Sequence, residues 1–324
     1  MIDTLITEPG DYSQKALKLY HDLGPVSFER DLTRIELLDQ LEGMGILVIR
    51  LAIEIDSEVL DAATSLKAVV TPTTGLDHID LEVCEEKGVA VVSLKGETDF
   101  LQGIPATSEH TWSLLLSLVR NIPWAFDAVR EGRWTDNRLR QEFRGHDLAG
   151  RSLGVLGLGR VGRKVAKYGN TFGMRVHAYD PDGDNWPTDV ARVATLLELA
   201  SMSDVLSIHV PLAPETRGLV DSLIFEALPP GAVLINTSRG AIVDETAMLS
   251  ALEFGRLAGA ATDVISDETG PDTQISHALF DYANRKSNLL ITPHVAGATF
   301  ESMHSTEEFV AQKCVEFVSA RMSG

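Results

Sequence analysis

The sequence predicts an α/β protein that consists of two doubly wound parallel sheets, with one domain inserted into the other. Its 324 residues correspond to about two domains of ordinary size. Short apolar runs alternate with helical stretches in two separate series, as successive strand and helix units of parallel sheets do. A last helical stretch, residues 300–322, follows the second series and is available to return to the first domain.

The first series contains five short apolar runs that we interpret as strands. They cover residues 3–7, 26–29, 46–50, 68–71 and 89–93. A run such as 46–50 is apolar almost throughout, which is typical of a parallel strand that is buried on both faces. Apolar residues at helical spacing lie between these runs, at residues 13–21, 32–41, 57–63 and 81–87. Gly88 follows the last of them as a C-terminal cap.

A polar stretch, residues 95–107, interrupts the alternation, and residues 108–121 read as a strongly apolar helix. The second series starts after a polar segment at 131–150. Its six predicted strands cover residues 152–156, 175–179, 205–209, 232–236, 259–264 and 289–292. We therefore predict one domain at residues 108–297, inserted into a domain made of residues 1–107 and 298–324.

Composition and charge exclude several classes of partner. The chain has 28 Lys and Arg against 47 Asp and Glu, a formal charge of −19, which repels nucleic acids and anionic membranes. Its two cysteines, Cys84 and Cys314, are too few for a disulfide framework and are not spaced as metal ligands. No apolar run approaches the roughly 20 residues that cross a bilayer. We expect a cytoplasmic protein without a metal, and a local cation to hold any anionic substrate.

The sharpest motif is a glycine pattern, G-x-G-x-x-G, that joins the strand at 152–156 to a helix at 163–172. Gly157 permits a tight turn, Gly159 lets the backbone approach a pyrophosphate, and Gly162 lets the helix pack closely on the strand. The N-terminus of the helix offers N–H groups and a positive dipole end to phosphates. The pattern predicts a Rossmann domain, although a tight turn without any ligand shows the same glycines.

Asp180 strengthens the dinucleotide interpretation. It ends the next strand, 18 positions beyond Gly162, close to the roughly 20 expected of an acid that binds the adenosine ribose hydroxyls. A carboxylate at this place repels the 2′-phosphate of NADP, so the sequence favours NAD. The structural alternative is a turn or cap residue before Pro181.

Three polar residues follow strands of the second series, where a doubly wound sheet binds its ligands. They are Arg239, Glu268 and His294. Hydride transfer to a ketone leaves an alkoxide, so the reaction needs a proton donor, and imidazole at His294 is suited to that role. Glu268 can orient the imidazole, and Arg239 can clamp a substrate carboxylate or carbonyl oxygen.

At these residues the chain resembles the D-isomer-specific 2-hydroxyacid dehydrogenases, most nearly their phosphoglycerate dehydrogenase branch. The resemblance runs almost end to end. Its segments are residues 74–80, 109–110, 132–134, 153–162, 211–216, 236–240 and 292–297. It implies a Rossmann NAD-binding domain inserted into a flavodoxin-like substrate domain, and a homodimer whose interface includes the long helix from Ser108 and its flanks. Because the printed chain ends soon after His294, we expect no regulatory domain.

The resemblance also implies residue roles. Arg239, Glu268 and His294 are the implied catalytic residues, with His294 as acid in reduction and base in oxidation, and Asp263 is expected beside the nicotinamide carboxamide. The implied cofactor contacts are Gly157, Gly159, Arg160, Val161, Gly162, Asp180, Val210, Pro211, Thr216, Thr237, Ser238, Arg239, Asp263, His294 and Gly297. The implied substrate contacts are Arg50, Thr74, Gly75, Leu76, Arg239 and His294. His78, His110 and His209 lie in family-like segments, and we assign them no chemistry.

Departures from the family pattern leave the substrate open. Thr269 replaces the usual proline after Glu268, and the loop at 96–104 is longer than the common form. Arg50 matches an arginine of phosphoglycerate dehydrogenases, whereas Glu54 lies where a second basic residue is usual, so a phosphate or phosphonate on the substrate is neither required nor excluded. Two other functions remain open on this scaffold. They are a dinucleotide-sensing, corepressor-like interaction protein and a dehydrogenase of a non-carbon acid such as phosphite.

Overall fold

The computed structural model describes residues 1–30, 32–266, 268 and 277–322. The chain forms two compact units, of which the first consists of Met1–Ile104 and Ala298–Gly324 and the second of Pro105–Gly297. The change from one unit to the other comes three residues before the predicted position, because the long helix begins at Ala106.

The first unit is a five-stranded parallel sheet with helices on both faces. Its strands are β1 (Thr4–Ile6), β2 (Val26–Phe28), β3 (Ile46–Val48), β4 (Ala68–Val70) and β5 (Ala90–Val92). Its helices are α1 (Gln14–Leu23), α2 (Arg34–Gln40), α3 (Ser57–Ala62), α4 (Leu81–Glu86), α5 (Thr98–Gln102) and α14 (Phe300–Met322). The strand order β2-β1-β3-β4-β5 is the flavodoxin-like order, with its reversal between β1 and β3.

Each face of this sheet has its own apolar core. On one face, Tyr20 of α1 and Val310 of α14 pack with strand residues such as Ile46. On the other, Leu37 of α2 and Val59 of α3 pack against their own set of strand residues. Burial on both faces explains why the strands are apolar throughout rather than alternating.

The second unit is a seven-stranded parallel sheet. Its strands are β6 (Ser152–Leu156), β7 (Arg175–Tyr179), β8 (Ala191–Arg192), β9 (Val205–Ile208), β10 (Ala232–Asn236), β11 (Leu257–Thr262) and β12 (Leu289–Ile291). Its α-helices are α6 (Ala106–Val119), α7 (Ile122–Arg130), α8 (Leu139–Glu142), α9 (Arg160–Thr171), α10 (Leu196–Ser201), α11 (Ser222–Ala227), α12 (Glu245–Glu253) and α13 (Ala278–Ala283). The order β12-β11-β10-β9-β6-β7-β8 is that of a Rossmann sheet extended by one strand, and it reverses between β6 and β9.

The predicted α/β class with two doubly wound parallel sheets is confirmed, and the structure adds short elements that the sequence did not indicate, among them β8, α7 and α5. β8 pairs with β7 over two residues only, which is too short for a hydrophobic pattern to indicate. α7 follows α6 after Asn121, whose backbone is left-handed and separates the two helices. α5 is a short helix within the polar stretch 95–107.

Buried side chains fill both sides of the second sheet as well. Leu153, Val165 and Leu115 belong to a cluster on the side of α6 and α9, and Leu234 and Met248 to a cluster on the side of α10 to α13. Both cysteines, in the first unit, are buried free thiols. In the described part of the chain, no helix is both long enough and apolar enough to cross a membrane.

Candidate active site

The glycine loop between β6 and α9 has space for a ligand on one side only. Gly157 has a φ of 88°, and a Cβ there would lie 2.8 Å from the backbone of His209. A Cβ on Gly162 would lie 2.0 Å from the carbonyl oxygen of Gly157, so glycine is needed for close packing. A Cβ on Gly159 would meet nothing within 4 Å. Gly159 is also the N-cap of α9 and has no side chain to cap the helix, so the N-terminus of α9 lies beside this open side.

Asp180 lies next to this loop. One carboxylate oxygen accepts the N–H of Leu158 at 2.7 Å, and the other accepts the N–H of Asp182 at 3.2 Å. These bonds fix the carboxylate at the end of β7 and still leave lone pairs on both oxygens. The open side at Gly159, the uncapped helix and the fixed acid together fit a dinucleotide with free ribose hydroxyls.

The turn after β10 carries Arg239. The side chain of Asn236 shapes it, because its carbonyl oxygen accepts the N–H of Ser238 at 3.0 Å and its amide donates to the carbonyl of Arg239 at 2.9 Å. The guanidinium of Arg239 donates to the carbonyl of Ser238 at 2.8 Å. A Cβ on Gly240 would lie 1.9 Å from the backbone carbon of Ile265, so this glycine allows the turn to pack directly on the loop that follows β11.

Asp263, at the end of β11, is a buried carboxylate surrounded by donors. Asp263 is only 1% exposed. It accepts the hydroxyl of Thr292 at 2.6 Å and the N–H groups of Val295 and Ala296 at 2.9 and 2.7 Å. Burial by itself raises the pKa of Asp263, but the hydrogen bonds, with that from His110 foremost, outweigh burial and hold the pKa below its usual value. The carboxylate therefore stays ionised.

His294 and Glu268 meet beside this carboxylate. His294 has a left-handed backbone with a φ of 52°, and its N–H donates to the carbonyl of Asp263 at 2.9 Å. Its Nδ1 lies 2.6 Å from a carboxylate oxygen of Glu268, and the two side chains are 27% and 28% exposed. The other oxygen of Glu268 accepts the N–H of Ile265 at 3.1 Å. Because Glu268 engages Nδ1, Nε2 is the ring nitrogen left for a reacting proton.

His209 follows β9 at the same edge of the sheet and is excluded as a proton donor. Its Nε2 lies 2.8 Å from the hydroxyl oxygen of Ser207. Burial lowers the pKa of His209 to about 3, so the ring is neutral throughout the range in which enzymes usually work.

Several predicted cofactor contacts have clear local roles. Thr216 accepts the N–H of Ala213 at 2.8 Å and donates to the carbonyl of Pro211 at 2.7 Å, so its hydroxyl fixes that loop. The hydroxyls of Thr237 and Thr111 lie 2.8 Å apart, and the hydroxyl of Ser238 donates to the carbonyl of Val210.

Of the other predicted cofactor contacts, Arg160 and Val161 are half-buried in the first turn of α9, and Gly297 is exposed. A Cβ on Gly297 would meet nothing within 4 Å. Thr269, the departure from the family pattern, lies outside the described residues.

In the first unit, the loop after β4 contains the predicted substrate contacts Thr74, Gly75 and Leu76. Within the described residues, their backbone N–H groups donate to no protein acceptor, whereas the hydroxyl of Thr73 donates to the carbonyl of Gly75 at 2.8 Å and shapes the loop. The loop thus has donors that fit a carboxylate.

Arg50 follows β3 in the same unit and is paired within the protein. Its guanidinium donates to the carboxylate of Glu307 at 2.5 Å and to the carbonyl of Gly10 at 3.3 Å. Glu307 is fully buried and also accepts the N–H of Ser13 at 2.8 Å. Arg50 borders a cavity of about 290 Å³ at the carboxyl ends of β1 and β3, which Arg30 also lines. Its charge is therefore already balanced by one buried carboxylate.

Comparison with known proteins agrees with this geometry. Residues 112–296 match the family model described as "D-isomer specific 2-hydroxyacid dehydrogenase, NAD binding domain". The chain belongs to the D-isomer-specific 2-hydroxyacid dehydrogenase family. The cofactor of this 2-hydroxyacid dehydrogenase family member is accordingly NAD, and the uncapped glycine loop of the second unit has the form that such a dinucleotide requires.

Curated relatives of this family member are named D-3-phosphoglycerate dehydrogenase. The protein from Methanocaldococcus jannaschii is 31% identical over 97% of this chain and 57% of its own length. That from Rattus norvegicus is 33% identical over 90% of this chain and 52% of its own length. The chain thus spans little more than half the length of the curated relatives it matches.

Solved structures extend the likeness over both units. The TT0316 protein from Thermus thermophilus is 34% identical, with a TM-score of 0.81 over 96% of this chain and 94% of its own. A D-lactate dehydrogenase from Aquifex aeolicus, solved with NAD and lactic acid, is 27% identical, with a TM-score of 0.80 over 99% of this chain and 96% of its own.

Sequence reasoning missed the residues that hold the loops on which the candidate catalytic residues lie. Glu245 accepts the N–H of Ser266 at 2.7 Å, and its other carboxylate oxygen lies 3.4 Å from Nε2 of His277. His110 and Thr292 contact the carboxylate of Asp263. No motif marks these contacts, because each depends on how separate elements pack together in the folded unit.

Two substitutions in the glycine loop should separate an effect on NADH binding from an effect on folding. We expect Gly159→Ala to leave the free energy of unfolding within about 1 kcal/mol, because the new methyl group meets no protein atom. NADH binding should weaken at least about tenfold, because the methyl group occupies the space next to the phosphates. Gly162→Ala is the comparison variant, and it should lower the free energy of unfolding strongly through its clash with Gly157. NADH titration and urea unfolding measure the two effects. Undiminished NADH affinity in Gly159→Ala would contradict the assignment.

The pKa of His209 predicts a pH dependence of stability. Its pKa is about 3 in the folded protein and 6.5 ordinarily, so below pH 6.5 unfolding takes up a proton at this ring and stability falls with falling pH. Between about pH 8 and about pH 5, the free energy of unfolding of the wild type should fall by about 2 kcal/mol more than that of His209→Gln. All four tryptophans lie in residues 105–297, so tryptophan fluorescence reports this unit during urea unfolding. His146→Gln, at an exposed histidine of the same unit, should keep the full dependence.

Proposed function

We propose that this protein interconverts a 2-oxo acid and a D-2-hydroxy acid by NAD-dependent hydride transfer. The observation that carries the proposal is the 2.6 Å contact between His294 Nδ1 and Glu268, beside the turn that holds Arg239. The names of the curated relatives and of the NAD-bound D-lactate dehydrogenase support the same reaction class.

The proposed chemistry assigns one task to each side chain. NAD held at the glycine loop and Asp180 would supply a hydride acceptor for oxidation of the hydroxy acid and, as NADH, a hydride donor for reduction of the oxo acid. His294 Nε2 gives a proton to the carbonyl oxygen during reduction and takes it back during oxidation. Glu268 accepts the Nδ1–H, which fixes the tautomer and the ring orientation and stabilises the imidazolium. Arg239 holds the anionic substrate with its planar fork, a local cation in a strongly acidic protein.

Two substrate classes are compatible with this reaction, and they differ in whether the substrate carries a phosphate group. The relatives named D-3-phosphoglycerate dehydrogenase favour a phosphoglycerate-like substrate, with Arg50 as a contact. The ion pair between Arg50 and buried Glu307 weakens that contact, because a substrate phosphate has to share the guanidinium with an existing carboxylate. A small unphosphorylated hydroxy acid is the alternative that this pairing favours.

The decisive experiment follows NADH oxidation against hydroxypyruvate, glyoxylate, pyruvate, phosphohydroxypyruvate and phosphonopyruvate, with NADPH run in parallel. Turnover of one of them with NADH preferred supports the proposal, and the preferred compound decides the phosphate question. Silence across the panel with NADH still bound would contradict it and would favour the sensing or phosphite alternatives.

His294→Asn is the matching variant. Asparagine tolerates the left-handed backbone at this position, so the turn is retained while the acid–base group is lost. We expect kcat to fall about 10²- to 10⁴-fold, with the dissociation constant for NADH changed less than about threefold. A variant that keeps wild-type turnover would refute His294 as the proton donor.

We also propose a homodimer that buries the outer face of α7. Ile122, Phe126 and Val129 are 51%, 61% and 41% exposed at helical spacing, and Trp134 beyond the helix is 77% exposed. Large apolar groups clustered in this way mark an interaction surface. The resemblance to a family whose members are usually homodimers supports a second copy of this chain as the partner.

Sedimentation velocity tests the dimer. We expect the wild type to sediment as a dimer and Phe126→Glu to sediment as a monomer, because a charge in an apolar interface lacks a partner. Phe254→Glu changes a phenylalanine that is 87% exposed outside this cluster and should remain dimeric. A wild type that sediments as a monomer at micromolar concentration would contradict the proposal.

A further inference from the structure

His110 is a histidine of α6 whose ring reaches the buried carboxylate behind His294. Its Nε2 lies 3.0 Å from the hydroxyl oxygen of Thr292 and 3.3 Å from a carboxylate oxygen of Asp263. The ring is 21% exposed, and the carboxylate it approaches is fully buried. Neither the glycine motif nor the Arg, Glu and His triad uses this residue.

The proton positions in this network follow from counting hydrogens. Asp263 is ionised, so it only accepts, and the single hydroxyl hydrogen of Thr292 is donated to it at 2.6 Å. The oxygen of Thr292 therefore has only lone pairs left for His110. Nε2 of His110 must carry the hydrogen and share it between Thr292 and Asp263. An acceptor at this position would leave two lone pairs facing each other in a buried site.

This hydrogen-bond network fixes the backbone conformation of His294. The carboxylate of Asp263 accepts the N–H groups of Val295 and Ala296, and its backbone carbonyl accepts the N–H of His294. These bonds hold the left-handed conformation at His294, which costs a side-chain-bearing residue about 1–2 kcal/mol. The direction of His294 toward Glu268 depends on this turn, so a shift of Asp263 moves the imidazole.

We propose that His110 is a positioning residue for His294, acting through Thr292 and Asp263 as an obligatory Nε2–H donor. This inference rests on the proposed function, in which His294 transfers the substrate proton. His110 itself takes no part in the proton transfer. Its contribution is to keep the Asp263 carboxylate, and with it the His294 turn, in one arrangement. A misplacement of about 1 Å in such a group costs about 10²-fold in rate.

The test compares substitutions that differ in whether an N–H donor reaches the place of Nε2. His110→Gln carries an amide N–H near the place of Nε2, whereas His110→Asn ends one bond short and His110→Phe has no donor. We expect Gln to keep kcat within about threefold and Asn and Phe to lower it about 10- to 100-fold, with NADH affinity retained in all three. Tryptophan fluorescence during urea unfolding identifies any variant that fails to fold, and the Gln and Asn pair remains comparable if Phe does.

A second readout is independent of turnover. The proton between His294 Nδ1 and Glu268 should give a low-field NMR resonance that is absent from His294→Asn. We expect the resonance to persist in His110→Gln and to shift or broaden in His110→Asn and His110→Phe. Equal kcat and an unchanged resonance in all three variants would overturn the positioning role. If the wild type turns over no substrate, the proposed function fails, while the resonance still decides whether His110 positions His294.

Discussion

The buried carboxylate of Asp263 is the interaction on which the rest of the candidate site depends. A charge in an almost fully enclosed place is stable only if donors surround it, and here they come from α6, from the residue that follows β12 and from the backbone after His294. These donors belong to segments that are far apart in the chain. By collecting them, Asp263 ties the long helix to the last strand and forces the turn that presents His294. The side chain of His294, although it lies on a loop, is thereby held by the sheet beneath it.

Close backbone packing is the second constraint, and glycine provides it at two turns. Gly162 brings α9 onto β6 so that the helix N-terminus faces the edge of the sheet, and Gly240 brings the Arg239 turn against the loop that leads to Glu268. In both places a side chain would collide with backbone atoms. The same parallel topology directs the ends of β6, β9, β10 and β11 to one edge. Candidate site residues from distant parts of the chain therefore lie together at that edge.

The sequence was informative wherever a pattern is local. Strand burial, the glycine loop and its following acid each depend on residues within about 30 positions, so the confirmed α/β class and the NAD cofactor were predictable. The two-residue β8 and the polar α5 have too few apolar residues for periodicity to show. His110 was not predictable as a partner of Asp263, because its role depends on a contact across 153 positions that only the folded sheet creates. A histidine in the sequence does not by itself indicate which residue its ring will contact.

Arg50 shows why residue type alone does not assign a role. An arginine at this point of the chain was expected to bind substrate, and the structure reveals a partner for it in Glu307, on a helix more than 250 positions away. Removing either member of a buried pair leaves an unpaired charge that costs about 3–5 kcal/mol, so the pair is a structural link between β3 and α14 whatever else Arg50 does. In a chain with a charge of −19, an anionic ligand is held by those cations that nearby acids leave incompletely neutralised. Substrate choice is then a question of competition between the ligand and the protein's own carboxylates for the same guanidinium.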